Sequence, residues 1–149
     1  MRVVVQRVSR ARVFAGGKLA GEIAAGVAVL VAVGREDTAA VATTMADKVF
    51  HLRIFDDEQG KMNRSLEETQ GEALVVSQFT LYGDARGQRR PSFVQAAPTD
   101  VGKKLYEEFV KALRELGVRV ATGVFQERMS LELTNDGPVT ILLDSDKTF

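Results

Sequence analysis

The stretch Gly26-Val27-Ala28-Val29-Leu30-Val31-Ala32-Val33-Gly34 decides the fold. It is apolar at every position between its two glycines, so it offers no wet face. Such a run reads as a strand buried on both sides of its sheet. Towards the N-terminus, residues 2–14 are strand material, rich in Val with Arg and Ser interleaved. Gly16-Gly17-Lys18 is a hairpin turn, and a second run from Leu19 to Ala25 leads up to Gly26. Towards the C-terminus, Asp37 offers a helix N-cap. Val41, Met45, Val49 and Leu52 then recur at spacings of 4, 4 and 3, one face of a helix.

Asp56 to Lys61 is polar turn chemistry, and Ala73 to Leu81 reads as a strand. Gly83 to Pro91 is a polar loop. Thr99 or Asp100 caps a second helix, whose apolar stripe is Leu105, Phe109, Leu113 and Leu116, with Gly117 at its expected end. Glu107 and Lys111 are spaced for a pair on its wet face. The remainder, Val118 to Leu143, is strand-rich, broken by Gly123 and by Asn135-Asp136-Gly137-Pro138. Strands cluster at both ends with two helices inserted. The expected fold is a single α+β domain over residues 1–149: a curled, barrel-like antiparallel or mixed sheet with two helices packed on one side.

Composition narrows the function. A chain of 149 residues, 45% apolar, builds its own core without a metal or disulfide. Lys plus Arg and Asp plus Glu are 20 each, which excludes a strongly basic coat for long nucleic acid but permits a local basic patch. There is no cysteine, hence no thiolate nucleophile and no Cys-ligated zinc. The single histidine, His51, leaves no pair for a His-based metal site. It sits on the first helix between Phe50 and Leu52, more simply a helix residue than a member of a catalytic triad. The N-terminus lacks a signal-peptide layout, and the longest apolar stretch, Ile23 to Val33, is 11 residues where a membrane span needs about 20. A soluble cytoplasmic protein is the expectation. No phosphate-binding glycine loop is present.

Three segments carry chemistry. In Val75-Val76-Ser77-Gln78-Phe79-Thr80-Leu81, two valines run directly into three polar side chains around one phenylalanine. If that end is buried, those groups need partners, either a bound substrate or neighbouring backbone. Asn135-Asp136-Gly137-Pro138 between strand-like runs reads most plainly as a rigid hairpin turn. Arg86-Gly87-Gln88-Arg89-Arg90 gathers three positive charges in five residues, either a phosphate site or a solvated loop.

Taken together, Ser77-Gln78-Phe79-Thr80-Leu81 and Asn135-Asp136-Gly137-Pro138-Val139-Thr140 resemble the paired signatures SQFTL and NxGPVT of the D-aminoacyl-tRNA deacylases. The resemblance extends over nearly the whole chain. It takes in Val4-Val5-Gln6-Arg7-Val8, Leu52-Arg53-Ile54-Phe55, Gly60-Lys61-Met62-Asn63 and Arg89-Arg90-Pro91-Ser92-Phe93. Gly123, Phe125 and Met129 also match, but Gln126-Glu127 stand where many members carry Gly-Ala.

The resemblance implies a homodimer that hydrolyses the ester between a D-amino acid and the terminal adenosine of tRNA. It also implies action on mischarged glycyl-tRNA, with no metal or organic cofactor. Ser77, Gln78, Phe79 and Thr80 would be the catalytic segment, with main-chain N–H groups near Phe79 and Thr80 holding an oxyanion. Thr80 is a nucleophile only if a base activates it, and the sequence offers none that clearly belongs to it. A water activated with help from the tRNA 2′-hydroxyl is the alternative. Gly137 and Pro138 would form a backbone filter, joined by a cis bond and reaching into the partner's pocket to reject L-amino acids. Met129 would line the pocket, and Arg7 would orient the Gly-Pro pair.

Overall fold

The computed structural model describes residues 1–149. The chain opens with three strands, β1 (Arg2–Ala15), β2 (Lys18–Ile23) and β3 (Gly26–Ala32), followed by helix α1 (Ala39–Phe50). A small hairpin of β4 (Phe55–Asp56) and β5 (Met62–Arg64) leads to a one-turn helix α2 (Leu66–Thr69) and strand β6 (Glu72–Ser77). A 3₁₀ turn (Phe79–Tyr82) follows. Helix α3 (Thr99–Glu115), β7 (Val120–Thr122) and the long β8 (Met129–Asp144) complete the chain. The α+β class, the curled sheet and the two packed helices stand as expected. The β4–β5 hairpin and α2 are additions.

β3 lies at the centre, antiparallel to β1 and parallel to β6, with Val29 opposite both Val5 and Val75. Both its faces are covered, as its unbroken apolar run requires. On one face, Val27, Val29 and Val31 join Val3, Val5, Ala73 and Val75 beneath α1 and α3. Phe109 of α3 is fully buried there. Truncating such a side chain to alanine costs about 3–5 kcal/mol. On the other face, Ala28, Leu74 and Val76 meet Val8, Ala11, Val13 and Ile23, with Met129, Leu131 and Leu133 packed against them. The sheet order β2-β1-β3-β6-β7 curls until its ends approach one another. A Cβ on Gly21 of β2 would lie 2.7 Å from the Thr122 carbonyl oxygen of β7, so glycine permits the closure.

Four local expectations change. Thr38, not Asp37, caps α1, its hydroxyl accepting from the Val41 amide at 3.4 Å. Asp37 is already taken, by the Met1 ammonium at 2.5 Å and the Gly34 amide at 2.6 Å. α3 begins after Pro98 with no side-chain cap, so neither Thr99 nor Asp100 fills that role. Glu107 pairs one turn back with Lys103 at 4.0 Å, and Lys111 one turn on with Glu115 at 3.8 Å, instead of with each other. The strand expected over Ala73 to Leu81 stops at Ser77, because the chain turns into the 3₁₀ segment.

Asn135 to Pro138 is not a hairpin turn. β8 runs through it without reversing and stays paired with β1 on both sides. Gln6 faces Thr140 and Val8 faces Asn135, so Arg7 alone stands opposite Asp136, Gly137, Pro138 and Val139. The extra residues bow out as an excursion from the ladder. No helix is long and apolar enough to cross a membrane.

Candidate active site

Three parallel strands end at one cavity of about 650 Å³. Just past their carboxyl ends, β3 supplies Val33, β6 supplies Ser77, Gln78 and Phe79, and β7 is followed by Phe125 to Glu127. Ligands collect at this end of parallel strands, where loops diverge and leave a crevice. The rim is completed by Phe93 and by the segment that enters α3. That segment is pinned to the end of β3, the Ala97 amide donating to the Val33 carbonyl at 2.9 Å.

The 3₁₀ turn sets the polar mouth. Gln78 is anchored by its amide, which donates to the Val31 carbonyl at 2.8 Å. The next two amides, of Phe79 and Thr80, open the turn and have no acceptor within it. Phe79 is 57% exposed and meets Phe93 edge-on at 5.1 Å. The Thr80 hydroxyl is exposed and accepts from the Gln78 side-chain amide. No carboxylate or imidazole hydrogen-bonds it, so it has no base within the chain. Ser77 and Gln78 are half-buried and Thr80 is exposed, so the condition of burial is met only in part and the groups remain open to solvent or a ligand.

Behind this mouth, Arg2 holds the turn in place. Its guanidinium donates to the Leu81 carbonyl at 3.0 Å and lies over the Tyr82 ring at 4.7 Å. Burial, with Asp37 and Asp144 nearby, pushes the Tyr82 phenol well above its usual range. Arg2 was not among the expected site residues. The one signal for it, an arginine in a valine-rich strand, it shares with Arg7.

A second constellation surrounds the excursion. The Arg7 side chain is 9% exposed. It donates to the Ile54 carbonyl at 2.8 Å, to Asp56 at 3.1 Å and to the Asp136 carbonyl at 3.1 Å. The Asn135 amide closes the base, donating to the carbonyls of Arg7 at 3.1 Å and Val139 at 3.0 Å. The Gly137–Pro138 peptide bond is cis. Gly137 has φ +120, and a Cβ there would meet Val139 at 2.9 Å and the Arg7 guanidinium at 3.0 Å.

The expected residues therefore fall into two groups. Ser77, Gln78, Phe79 and Met129 line the cavity, with Thr80 beside it. Arg7, Gly137 and Pro138 stand together at the excursion and do not line it. Phe93, Phe125, Gln126 and Glu127 join the lining. Gln126 has φ +66, a conformation that suits the glycine of the resembled pattern better than a side chain. The basic loop is anchored by an Asp84–Ser92 bridge beside Phe93. Arg86 is held by Asp84 at 2.6 Å, which keeps that carboxyl well below its usual range, while Arg89 and Arg90 are exposed.

Comparison with known proteins gives this geometry a context. The family model of D-Tyr-tRNA(Tyr) deacylase matches residues 4–144, which places the chain among the hydrolases. A D-aminoacyl-tRNA deacylase of Symbiobacterium thermophilum is 58% identical over all of this chain and 99% of its own. One from Thermotoga petrophila is 58% identical over the whole of both. A solved structure named c-Myc DNA Unwinding Element Binding Protein superposes with a TM-score of 0.91 at 40% identity, covering 97% of this chain and 99% of its own. The chain belongs to the D-aminoacyl-tRNA deacylase family.

Proposed function

We propose that the chain hydrolyses the ester between a D-amino acid and the terminal adenosine of tRNA, and the same ester of mischarged glycyl-tRNA, as a homodimer in the cytoplasm. The observation that carries this reading is the cavity mouth, where Ser77, Gln78 and Phe79 line a pocket of aminoacyl-adenosine scale at the opening of a 3₁₀ turn. Water attacks the ester carbonyl, and the Phe79 and Thr80 amides hold the resulting oxyanion. The carbon–oxygen bond to the ribose breaks, the ribose oxygen takes a proton, and free amino acid and tRNA leave. An aminoacyl ester is already activated, so orientation and oxyanion stabilisation supply most of what is needed. Thr80, bonded only to an amide that is not basic, suits the water route with help from the tRNA 2′-hydroxyl better than a covalent one.

Selection against L-amino acids falls to Gly137–Pro138 of the partner subunit. Two observations support that assignment. The pair does not line the cavity of its own protomer, and it is held on an exposed excursion by Arg7 and Asn135. β8, which carries it, pairs only with β1 and leaves a long outer edge with Leu142 58% exposed. A self-complementary two-fold contact along such an edge brings each excursion to the other protomer. A backbone filter excludes a side chain on the wrong side of the α-carbon but cannot exclude glycine, which has none. The Arg86–Arg90 loop lies beside the mouth and suits the phosphates of the tRNA end, with binding that weakens as salt rises.

A second reading, a non-catalytic tRNA or small-ligand binder, draws on the structure whose name is that of a DNA-element binding protein. Incubation with D-Tyr-tRNA, L-Tyr-tRNA and Gly-tRNA separates the two. The deacylase reading expects loss of the D and glycyl esters with the L ester intact. Retention of all three with tightly bound tRNA supports the binder. Sedimentation at micromolar protein should give a species of about twice 16.3 kDa. A fully active monomer would contradict the cross-subunit filter.

A further inference from the structure

We infer that Glu127 makes the cavity selective for charge on the amino acid it receives, favouring an ammonium or guanidinium group over a carboxylate. This rests on the reading of the cavity as an aminoacyl site. Glu127 is the one charged residue in the lining. Its backbone is fixed: the amide donates to the Val124 carbonyl at 3.2 Å, and the flanking Phe125 and Met129 both pack along the cavity wall. Its carboxylate forms no ion pair within the chain and is exposed at the rim. No ion pair neutralises it, and it is the one charge in the cavity wall itself, whereas Arg89 and Arg90 stand on the neighbouring loop and Arg128 follows it outside the lining. The apolar wall of Phe93, Phe125 and Met129 screens the Glu127 field less than open water does.

Every aminoacyl ester brings an α-ammonium to this mouth. D-Lys and D-Arg bring a second cation, and D-Asp and D-Glu bring a carboxylate. A filter made of backbone is blind to the side chain, so Glu127 is the residue through which side-chain charge is read. Its position at the rim limits the effect. Exposed charge pairs are worth up to about 1 kcal/mol, or about fivefold in an equilibrium.

The test uses one tRNA carrying D-Lys, D-Tyr or D-Glu in turn, so that tRNA contacts cancel. Wild type should show kcat/KM falling in that order, mostly through KM, with about a fivefold gap between D-Lys and D-Glu at low salt. Glu127→Gln should close the gap and Glu127→Lys should reverse it, and salt should shrink it in the wild type. Two sources of the cation are distinguishable. If the α-ammonium dominates, Glu127→Gln lowers kcat/KM for all three substrates and flattens the pH profile near pH 8, where an α-amine titrates. Relief of repulsion from tRNA phosphates would act in the opposite direction. Unchanged melting temperatures exclude a folding defect. Substrate ratios identical in wild type and both variants would overturn the inference, a uniform loss across the three substrates included. Failure of the wild type to hydrolyse any D ester would instead overturn the deacylase reading.

Discussion

Two arginines on one strand hold the two halves of the site, and they do so differently. Arg2 braces the 3₁₀ turn behind the cavity mouth, and Arg7 braces the excursion that carries Gly137 and Pro138. Arg7 is the more firmly held: two carbonyls and a carboxylate accept from its Nε and Nη1, and its side chain is 9% exposed. Arg2 is looser. Its side chain is 29% exposed, its Nε has no hydrogen-bond partner, and its nearest carboxylate oxygen, on Asp144, is 3.4 Å away. A bidentate fork fixes orientation, whereas a cation over an aromatic face fixes mainly distance. The excursion is thus built as a rigid gauge, while the turn keeps some freedom to settle around an ester. That division is what the proposed function asks for, with a stereochemical filter at the excursion and a reacting carbonyl at the turn.

The largest expected effect breaks the rigid half. Arg7→Ala leaves the Ile54 and Asp136 carbonyls without their donor and opens space under Gly137. The expected loss is about 3 kcal/mol in urea denaturation. Displacing the excursion by an ångström should lower kcat/KM on D-Tyr-tRNA by about 100-fold. Arg7→Lys restores the charge but not the fork and should recover little of it. Arg2→Ala, in the same assays, should lose clearly less of both. Equal losses at the two positions would remove the distinction between a rigid and a compliant half.

The two halves also differed in how far the sequence disclosed them. Val75 and Val76 running into Ser77-Gln78-Phe79-Thr80 is out of character for a strand, and that local mismatch falls where the chain meets the cavity. The sheet and both main helices were legible because their apolar periods are long and unbroken. The excursion was not. Asp136-Gly137-Pro138 has the same local chemistry in a hairpin turn and in a bulged edge, and only the pairing of β8 with the distant β1 decides between them. The same holds at α1, where Asp37 is a good cap residue until the distant Met1 ammonium, with the nearby Gly34 amide, claims it. Glu127 stood out only as a departure from the resembled pattern, with nothing in its neighbours to put it in a cavity. It enters the cavity because β7 lies parallel to β6, a fact of topology rather than of neighbouring residues. Features set by contacts between distant segments stay hidden, whereas features set by local periodicity do not.

A moderate effect is expected in the compliant half. Thr80→Ala removes a hydroxyl whose partner is the Gln78 side chain, and frees that amide to meet water. With water as nucleophile, kcat should fall by less than about tenfold, because the oxyanion amides remain. A covalent threonine mechanism would lose about 1,000-fold or more. Single-turnover decay of D-Tyr-tRNA distinguishes the two, and a rate at the uncatalysed background with intact tRNA binding would sink the water route.

The smallest effect lies behind Arg2, at Asp144. Burial raises this carboxyl, but the Thr148 hydroxyl, the Asp146 amide at 2.9 Å and Arg2 outweigh it, so its folded pKa lies below the ordinary 3.8. A depressed pKa means the unfolded chain binds the proton more readily. The carboxylate therefore stabilises the fold fully above pH 3.8 and loses that contribution as pH falls through its folded value. Asp144→Asn should cost about 1 kcal/mol at pH 7. The gap between variant and wild type should narrow only below the ordinary carboxylate range. Urea midpoints at pH 7, 5 and 3 would read it, and a gap that closes already by pH 5 would show that Asp144 braces Arg2 less than its contacts indicate. Because Arg2 holds the Leu81 carbonyl, the same variant should also loosen the mouth while leaving the excursion untouched. Its KM for D-Tyr-tRNA should rise by about two- to threefold with D-over-L selectivity unchanged.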